Sequence, residues 1–220
     1  MFQDNSKLHS GAECPWPSIS FGCGGWLQFY LYGVARAIQA RGLDLPEVTY
    51  CGCSAGALAA VGLTLNCDFD AAVGFCKQEC LPEAHKHFGG LFQVDKYVDA
   101  VLDLHVLPNY RPLDAGKLQI AITQLPSLKA ERASEFASPQ DLKECLLASC
   151  AAFPIASLVY RRGGWCVDGG ITDFQPIVEH NTLNVSPFYF RYSYHHCIVS
   201  FIFFEFLLLF FPLLFLYCYQ

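Results

Sequence analysis

Residues 48–58 read Val-Thr-Tyr-Cys-Gly-Cys-Ser-Ala-Gly-Ala-Leu, an apolar run that ends in G-x-S-x-G and passes into small, helix-tolerant residues. The pattern predicts a strand, a tight turn at Ser54 and the start of a helix. Gly52 and Gly56 leave room for a turn so sharp that the serine hydroxyl is lifted above the sheet edge. The helix that follows turns its N-terminal amides toward any negative charge that develops there. The same five-residue pattern also arises by chance in a chain with 17 glycines. The neighbouring segments therefore decide what it means.

Immediately upstream the same plan occurs once more. Pro17 to Phe21 is a short buried strand by pattern, running into Gly22-Cys23-Gly24-Gly25, and Trp26 to Ala40 has helical spacing with Arg41-Gly42 as its stop. A dinucleotide fingerprint is the rival reading of such a loop. Gln28 stands where its last glycine belongs, and no acidic residue follows a clear second strand at the usual distance. After the Leu43–Pro46 linker, the order strand, helix, strand, helix implies a parallel sheet with right-handed crossovers.

Downstream, Asp68–Glu83 and Val94–Leu107 read as helices, the second with Val94, Tyr97, Val98, Val101 and Leu102 on one face, and both are expected only to pack. Gly116–Leu125 alternates like a strand. Ser138-Pro139 opens a helix through Leu147 as N-cap and first residue. Ser157–Tyr160 and Trp165–Val167 form a hairpin around Arg161-Arg162-Gly163-Gly164 and deliver Asp168-Gly169-Gly170. Thr182–Val185 is a last short strand.

Composition bounds the function. A chain of 220 residues, 53% hydrophobic, buries one sizeable core. Its net charge of -6, with no basic block beyond Arg161-Arg162, argues against a nucleic-acid partner. The first twenty residues lack the apolar run of a secretory signal, so the catalytic part is expected to face the cytosol. Most of the 12 cysteines lie inside apolar segments, which points to reduced, buried thiols. Cys76 and Cys80 with His85 and His87 span three helical turns, poor geometry for one ion, and no metal is expected.

Three pieces could carry chemistry together. Gly24-Gly25 and Ser54 each follow neighbouring parallel strands, at the sheet edge where ligands bind. Glycines there let backbone N–H groups approach an oxyanion. Asp168 by itself reads as a turn aspartate, but beside the other two pieces it is the natural base. Its site would then have to be desolvated, with Phe153, Trp165 and Val167 as the apolar shield.

These residues together resemble the patatin-like phospholipase family, and within it the adipose triglyceride lipase and adiponutrin branch. The resemblance rests on Ile19-Ser20-Phe21, Gly33-Val34-Ala35, Ser54-Ala55-Gly56-Ala57-Leu58, Val167-Asp168-Gly169-Gly170-Ile171 and Asn184-Val185-Ser186-Pro187-Phe188. It implies a three-layer α/β/α fold with a mostly parallel central sheet. It also implies a lipid acyl hydrolase acting on an acylglycerol or phospholipid with a Ser54–Asp168 dyad, oxyanion donors at Gly24, Gly25 and Trp26, a nucleophile turn framed by Gly52 and Gly56, and no cofactor. The partner it implies is a membrane or lipid-droplet surface. Two departures stand out: Gln28 where the family commonly has glycine, and Leu27 in place of the arginine of plant patatins. Gln28 leaves open a protein that keeps the fold and a lipid surface without turnover. A Ser-Asp-His α/β-hydrolase is the other rival, with His180 as its base at the end of a short helix.

The resemblance spans residues 17–190, leaving 1–16 as an N-terminal extension and 191–220 as an apolar tail. Ile198 to Tyr219 is long enough to cross a ~30 Å hydrocarbon layer at ~1.5 Å per residue. Glu205 inside it opposes that, and its residue types have pyrimidine-rich codons. The tail is therefore either a single-pass anchor or an aberrantly translated segment.

Overall fold

The two apolar runs that end in glycine loops form neighbouring parallel strands, β1 (Ser18–Phe21) and β2 (Thr49–Cys53), with Phe21 opposite Gly52. The computed structural model describes residues 14–188, apart from Leu45 and His87. Between the strands, one 3-10 turn at Gly25–Leu27 leads into helix α1 (Gln28–Ala40), which stops at Arg41-Gly42, with Gly42 at φ +62°. Helix α2 (Ala55–Thr64) follows β2 directly. All but its last residue are buried, because it lies between β1–β3 of the sheet and α1. That explains its composition. A helix covered on every side carries no polar stripe, and Leu58, Val61 and Leu63 each contribute about 1.5–3 kcal/mol by leaving water.

Three helical pieces come next: α3 (Phe69–Phe75), capped by Asp68, α4 (Leu81–Lys86) and α5 (Val94–Val101). A π-helical turn at Cys76–Cys80 joins α3 to α4, and another at Leu102–Val106 extends α5. The chain then returns to the sheet as β3 (Leu118–Leu125), turns into β4 (Lys129–Ala133), and forms α6 (Pro139–Ser149). Ser138 caps α6 by accepting the Asp141 N–H at 3.1 Å, as the Ser-Pro pair predicts. The hairpin β5 (Val159–Arg161) and β6 (Gly164–Asp168) and the strand β7 (Leu183–Val185) complete a seven-stranded sheet.

The strand order is β5-β6-β3-β2-β1-β7, with β4 on β3. β7, β1, β2 and β3 are parallel in series, while β4 and β6 run against β3 and β5 against β6. Five of the seven strands thus share one direction, the mostly parallel α/β sheet expected. The register around β3 decides the site. Along one edge β4 pairs with residues 120–124. The other edge takes β2 as far as Cys53 opposite Ala121, and then β6 from Asp168 opposite Ile122. Two strands from distant parts of the chain therefore meet end to end on a single edge. The residue after Cys53 is Ser54, so Ser54 and Asp168 arrive at the same place.

Four local expectations are corrected. β4 is a strand whose Lys-Ala-Glu-Arg-Ala sequence has no apolar alternation; among the described residues it pairs only with β3 and keeps its charges in water, as edge strands do. The β5–β6 turn is two residues, Arg162 and Gly163, both at positive φ, with Arg161 and Gly164 paired inside the strands. Val178–His180 is not helical: the Thr182 hydroxyl closes a turn on Glu179, and His180 is exposed. The two helical segments expected only to pack also line the pocket beside Ser54. No disulfide forms among the described residues, and every described cysteine except Cys14 is buried. The tail, residues 191–220, and the start of the N-terminal extension lie outside the described residues. Among the described residues, no helix is long and apolar enough to cross a membrane.

Candidate active site

Ser54 joins β2 to α2 at φ +52°, ψ -130°. A non-glycine residue held there stores about 1–3 kcal/mol of strain, which persists only where the surroundings over-determine it. They do so here. A side chain at Gly52 would strike the Gly56 carbonyl and the Ala57 amide, and one at Gly56 would strike the Phe21 and Gly22 carbonyls. The two glycines let the first turn of α2 press against the end of β1. The Ser54 carbonyl accepts the Ala57 N–H at 2.9 Å and starts the helix. The Ser54 N–H is bound by the Ser149 hydroxyl at 2.9 Å.

Asp168 ends β6 with none of its surface exposed. Its backbone is held from both sides: the N–H donates to the Ala151 carbonyl at 3.1 Å, and the carbonyl accepts from the Thr123 hydroxyl at 2.8 Å. Oδ1 accepts the Gly170 N–H at 2.7 Å. Oδ2 is buried and meets no fully formed hydrogen-bond partner among the described residues, although the Ser54 hydroxyl is close enough to pull the carboxyl pKa down. Burial is the larger influence. It pushes the pKa from 3.8 up to about 7, against the Ser54 hydroxyl and the Gly170 N–H. A carboxylate so placed is a far better base near neutrality than an ordinary one.

The shield is not the one expected. Phe153 and Trp165 are mostly exposed, and only Val167 is buried. Their strand and loop positions face solvent. Two neighbours close enough to feel the Asp168 charge are the buried thiols of Cys53 and Cys150. Burial holds both thiols well above their ordinary pKa, and such thiols are poor nucleophiles.

The glycine loop stands opposite. Gly25 has φ +49°, a conformation that suits glycine. The first hydrogen bond of the turn runs from the Leu27 N–H to the Gly24 carbonyl at 2.9 Å, so the Gly25 and Trp26 amides lie ahead of the helical ladder. Gly24 packs against Ala55 and Leu31, which leaves no space for a side chain. Gln28 opens α1, and its Oε1 accepts from the Tyr32 hydroxyl at 3.3 Å.

Gly25, Trp26, Gln28 and Ser54 line one pocket, whose remaining walls are almost wholly apolar. Leu58, Val94, Val98, Val101 and Ile155 supply much of them, together with the thiols of Cys76 and Cys80. The pocket offers about 50 Å³, far less than a long chain needs, so such a chain enters only as side chains move. This corrects the expectation that the two middle helices only pack. The apolar face of α5 looks into the pocket, as do both cysteines of the first π-helical turn. Trp26 Nε1 is out of water there, with no hydrogen-bond partner among the described residues.

A patatin-like phospholipase family model matches residues 19–179. The chain belongs to the patatin-like phospholipase family. It is similar to 1-acylglycerol-3-phosphate O-acyltransferase Pnpla3 of Mus musculus, 29% identical over 78% of this chain and 44% of that protein. It is also similar to patatin-like phospholipase domain-containing protein 4 of Homo sapiens, 29% identical over 78% of this chain and 71% of that protein. A third relative is the human omega-hydroxyceramide transacylase, 29% identical over 72% of this chain and 31% of that protein. The chain thus spans less than half the length of two of these. Among solved structures, VipD from Legionella pneumophila shares the fold, with TM-score 0.50 and 17% identity over 78% of this chain and 49% of that one.

Within this patatin-like domain the structure brings together Ser54, Gly25, Trp26 and, through the edge of β3, Asp168. The histidine of the α/β-hydrolase reading, His180, is exposed in its turn. Two residues of the site had no signal in the sequence. Thr123 looks like any β-branched strand residue, and Ser149 like a small residue at a helix end. Arg132 on β4 has a comparable bracing role, binding Asp173 at 2.6 Å and the Ile177 carbonyl at 2.7 Å to pin the chain that follows Asp168.

Proposed function

We propose that this patatin-like chain is a lipid acyl hydrolase that cleaves carboxylic esters through a Ser54–Asp168 dyad. Asp168 takes the proton of the Ser54 hydroxyl as Oγ bonds to the ester carbonyl carbon. The amides of Gly25 and Trp26, with Gly24 keeping the loop close, receive the oxyanion. Collapse of the intermediate breaks the ester C–O bond, and Asp168 returns its proton to the leaving alcohol. Water then repeats the sequence on the acyl-enzyme and releases the fatty acid. No step asks for a metal or cofactor.

The observation that carries this reading is the coincidence of a strained serine at φ +52° with a wholly buried carboxyl held near pH 7, both set by one edge of β3. The apolar pocket beside Ser54 suits an acyl chain, and the orphaned Trp26 Nε1–H suits an oxygen of the bound ester. Phe153, 66% exposed between the pocket-wall residues Ala152 and Ile155, supports docking at a membrane or lipid-droplet surface. The relatives named acyltransferase and transacylase favour a second reading, in which an alcohol replaces water as acceptor of the acyl group.

The test is labelling of the purified chain with a fluorophosphonate probe, together with fatty-acid release from triacylglycerol and phospholipid. Labelling that is lost in Ser54→Ala, with release of fatty acid or its transfer to an added alcohol, is the expected result. Absence of labelling in the folded wild-type chain would refute the dyad and leave a lipid-surface protein without turnover.

A further inference from the structure

Ser149 is the last residue of α6 and is wholly buried. Its hydroxyl accepts the Ser54 N–H at 2.9 Å and donates to the Ala121 carbonyl at 2.7 Å. The ladder between β2 and β3 tells what that hydroxyl replaces. The Tyr50 N–H bonds the Lys117 carbonyl at 2.9 Å, and the strands stay in register to Cys53 opposite Ala121. Hydrogen bonds of a parallel pair recur at every second residue. Two steps on from Tyr50 and Lys117, the next rungs fall on Gly52 with Gln119 and then on Ser54 with Ala121. In that last rung the Ser54 N–H would meet the Ala121 carbonyl directly. Instead the Ser149 oxygen stands between them, donor to one side and acceptor to the other.

The insertion has a geometric effect. A direct bond would hold the Ser54 nitrogen within about 3 Å of the Ala121 oxygen and prolong the strand by one residue. With a hydroxyl interposed, the backbone stays farther from β3, every polar group is satisfied, and Ser54 can leave the strand at φ +52°. The Ala121 carbonyl is also the atom that a side chain at Gly169 would strike, one residue beyond Asp168. Ser149 therefore ties the turn carrying Ser54 to the point on β3 against which the chain after Asp168 is packed.

We propose that Ser149 is a positioning residue for the nucleophile. It acts through the Ser54 backbone and sets the distance at which the Ser54 hydroxyl faces Asp168 and the glycine loop. This rests on the reading of Ser54 as nucleophile. Without the hydroxyl, either the rung closes and draws the turn toward β3, or a buried N–H and a buried carbonyl lose their partner. Both displace the reacting atom and leave the pocket walls as they are.

The experiment compares Ser149→Thr, which keeps a hydroxyl, with Ser149→Val, its isostere without one, and adds Ser149→Ala. The full chain is assayed for kcat and KM on a soluble ester and for the rate of fluorophosphonate labelling, with thermal unfolding recorded for each variant. S149V and S149A are expected to lose about 10²-fold in kcat and labelling rate, the size of an ångström-scale misplacement, with KM within about two-fold. S149T is expected to exceed S149V by at least about ten-fold. Equal activities for S149T and S149V, or an S149A variant with wild-type kcat, would overturn the proposal. If the larger pair does not fold, S149A decides alone by the same criterion. A folded wild-type chain without labelling or hydrolysis would instead remove the hydrolase reading, which separates the two failures.

Discussion

Replacing Asp168 with asparagine should abolish hydrolysis and at the same time make the protein more resistant to unfolding at neutral and alkaline pH. The side chain is wholly buried, and its pKa stands at about 7 against 3.8 for the exposed group. An acid whose folded pKa is raised contributes its full stability below the unfolded value and loses it as pH rises through the folded one. The window is therefore pH 3.8 to about 7. At ~1.36 kcal/mol per tenfold change in proton affinity, ionising this buried group costs the native state about 4 kcal/mol by alkaline pH. Asparagine has nearly the same shape and never ionises, so it escapes that loss. All other titrating groups are common to both proteins and cancel in the difference. Urea unfolding of wild type and Asp168→Asn at several pH values measures it. The gap in unfolding free energy should widen by about 3 kcal/mol in favour of the variant between pH 4.5 and 8. A gap that stays flat with pH would refute the raised pKa, and with it the argument that Asp168 is poised as a base near neutrality.

The catalytic counterpart is a kcat/KM that climbs with pH and levels above an apparent pKa near 7; a profile already flat at pH 5 would count against Asp168 as the base. Gly25→Val should leave the circular dichroism spectrum unchanged and lower kcat by about 10²–10³-fold, because a β-branched residue strains φ +49° and its side chain blocks the amides; wild-type turnover in a folded variant would disprove the oxyanion assignment. Ser54→Ala should fall at least ~10²-fold below His180→Ala, which should stay within a few-fold of wild type; loss of activity in the folded histidine variant would restore a triad. Val98→Trp, filling a pocket already tight at about 50 Å³, should raise KM for long-chain esters more than for short ones, and an equal effect on both would put the acyl chain elsewhere.

What could be read in advance was whatever depends on near neighbours in the chain. The turn at Ser54 was legible because Gly52 answers to the Gly56 carbonyl and Ala57 amide within a few residues, and the Ser138-Pro139 cap for the same reason, whereas the room Gly56 leaves is for the distant Phe21 and Gly22 carbonyls. The α5 stripe of Val94, Tyr97, Val98 and Val101 was seen correctly as a face. An apolar face toward a pocket has the same periodicity as one toward a core, so its place beside Ser54 was not readable. β4 escaped because an exposed edge strand needs no hydrophobic alternation. The burial of Asp168 was foreseen but its cause was not: Phe153 and Trp165 are apolar residues turned outward, and the covering comes from elements distant in sequence. Ser149 illustrates the limit, since nothing in Leu-Ala-Ser-Cys announces that a hydroxyl will complete a rung between two strands it does not belong to.

If Ser54 and Asp168 form the proposed dyad, the shared edge of β3 also governs when it can first assemble. Ser54 and Asp168 belong to opposite halves of the chain, and neither half alone contains both strand ends that bring them together. A nascent or partly refolded molecule can have β1, β2 and their helices in place and still hold Ser54 without Asp168 beside it. Joining the halves closes a long loop, a step whose entropy is recovered only once the sheet is complete. Under that dyad, reactivity toward a fluorophosphonate would report the final stage of folding, and the kinetics of its appearance during refolding would time the docking of β6 onto β3.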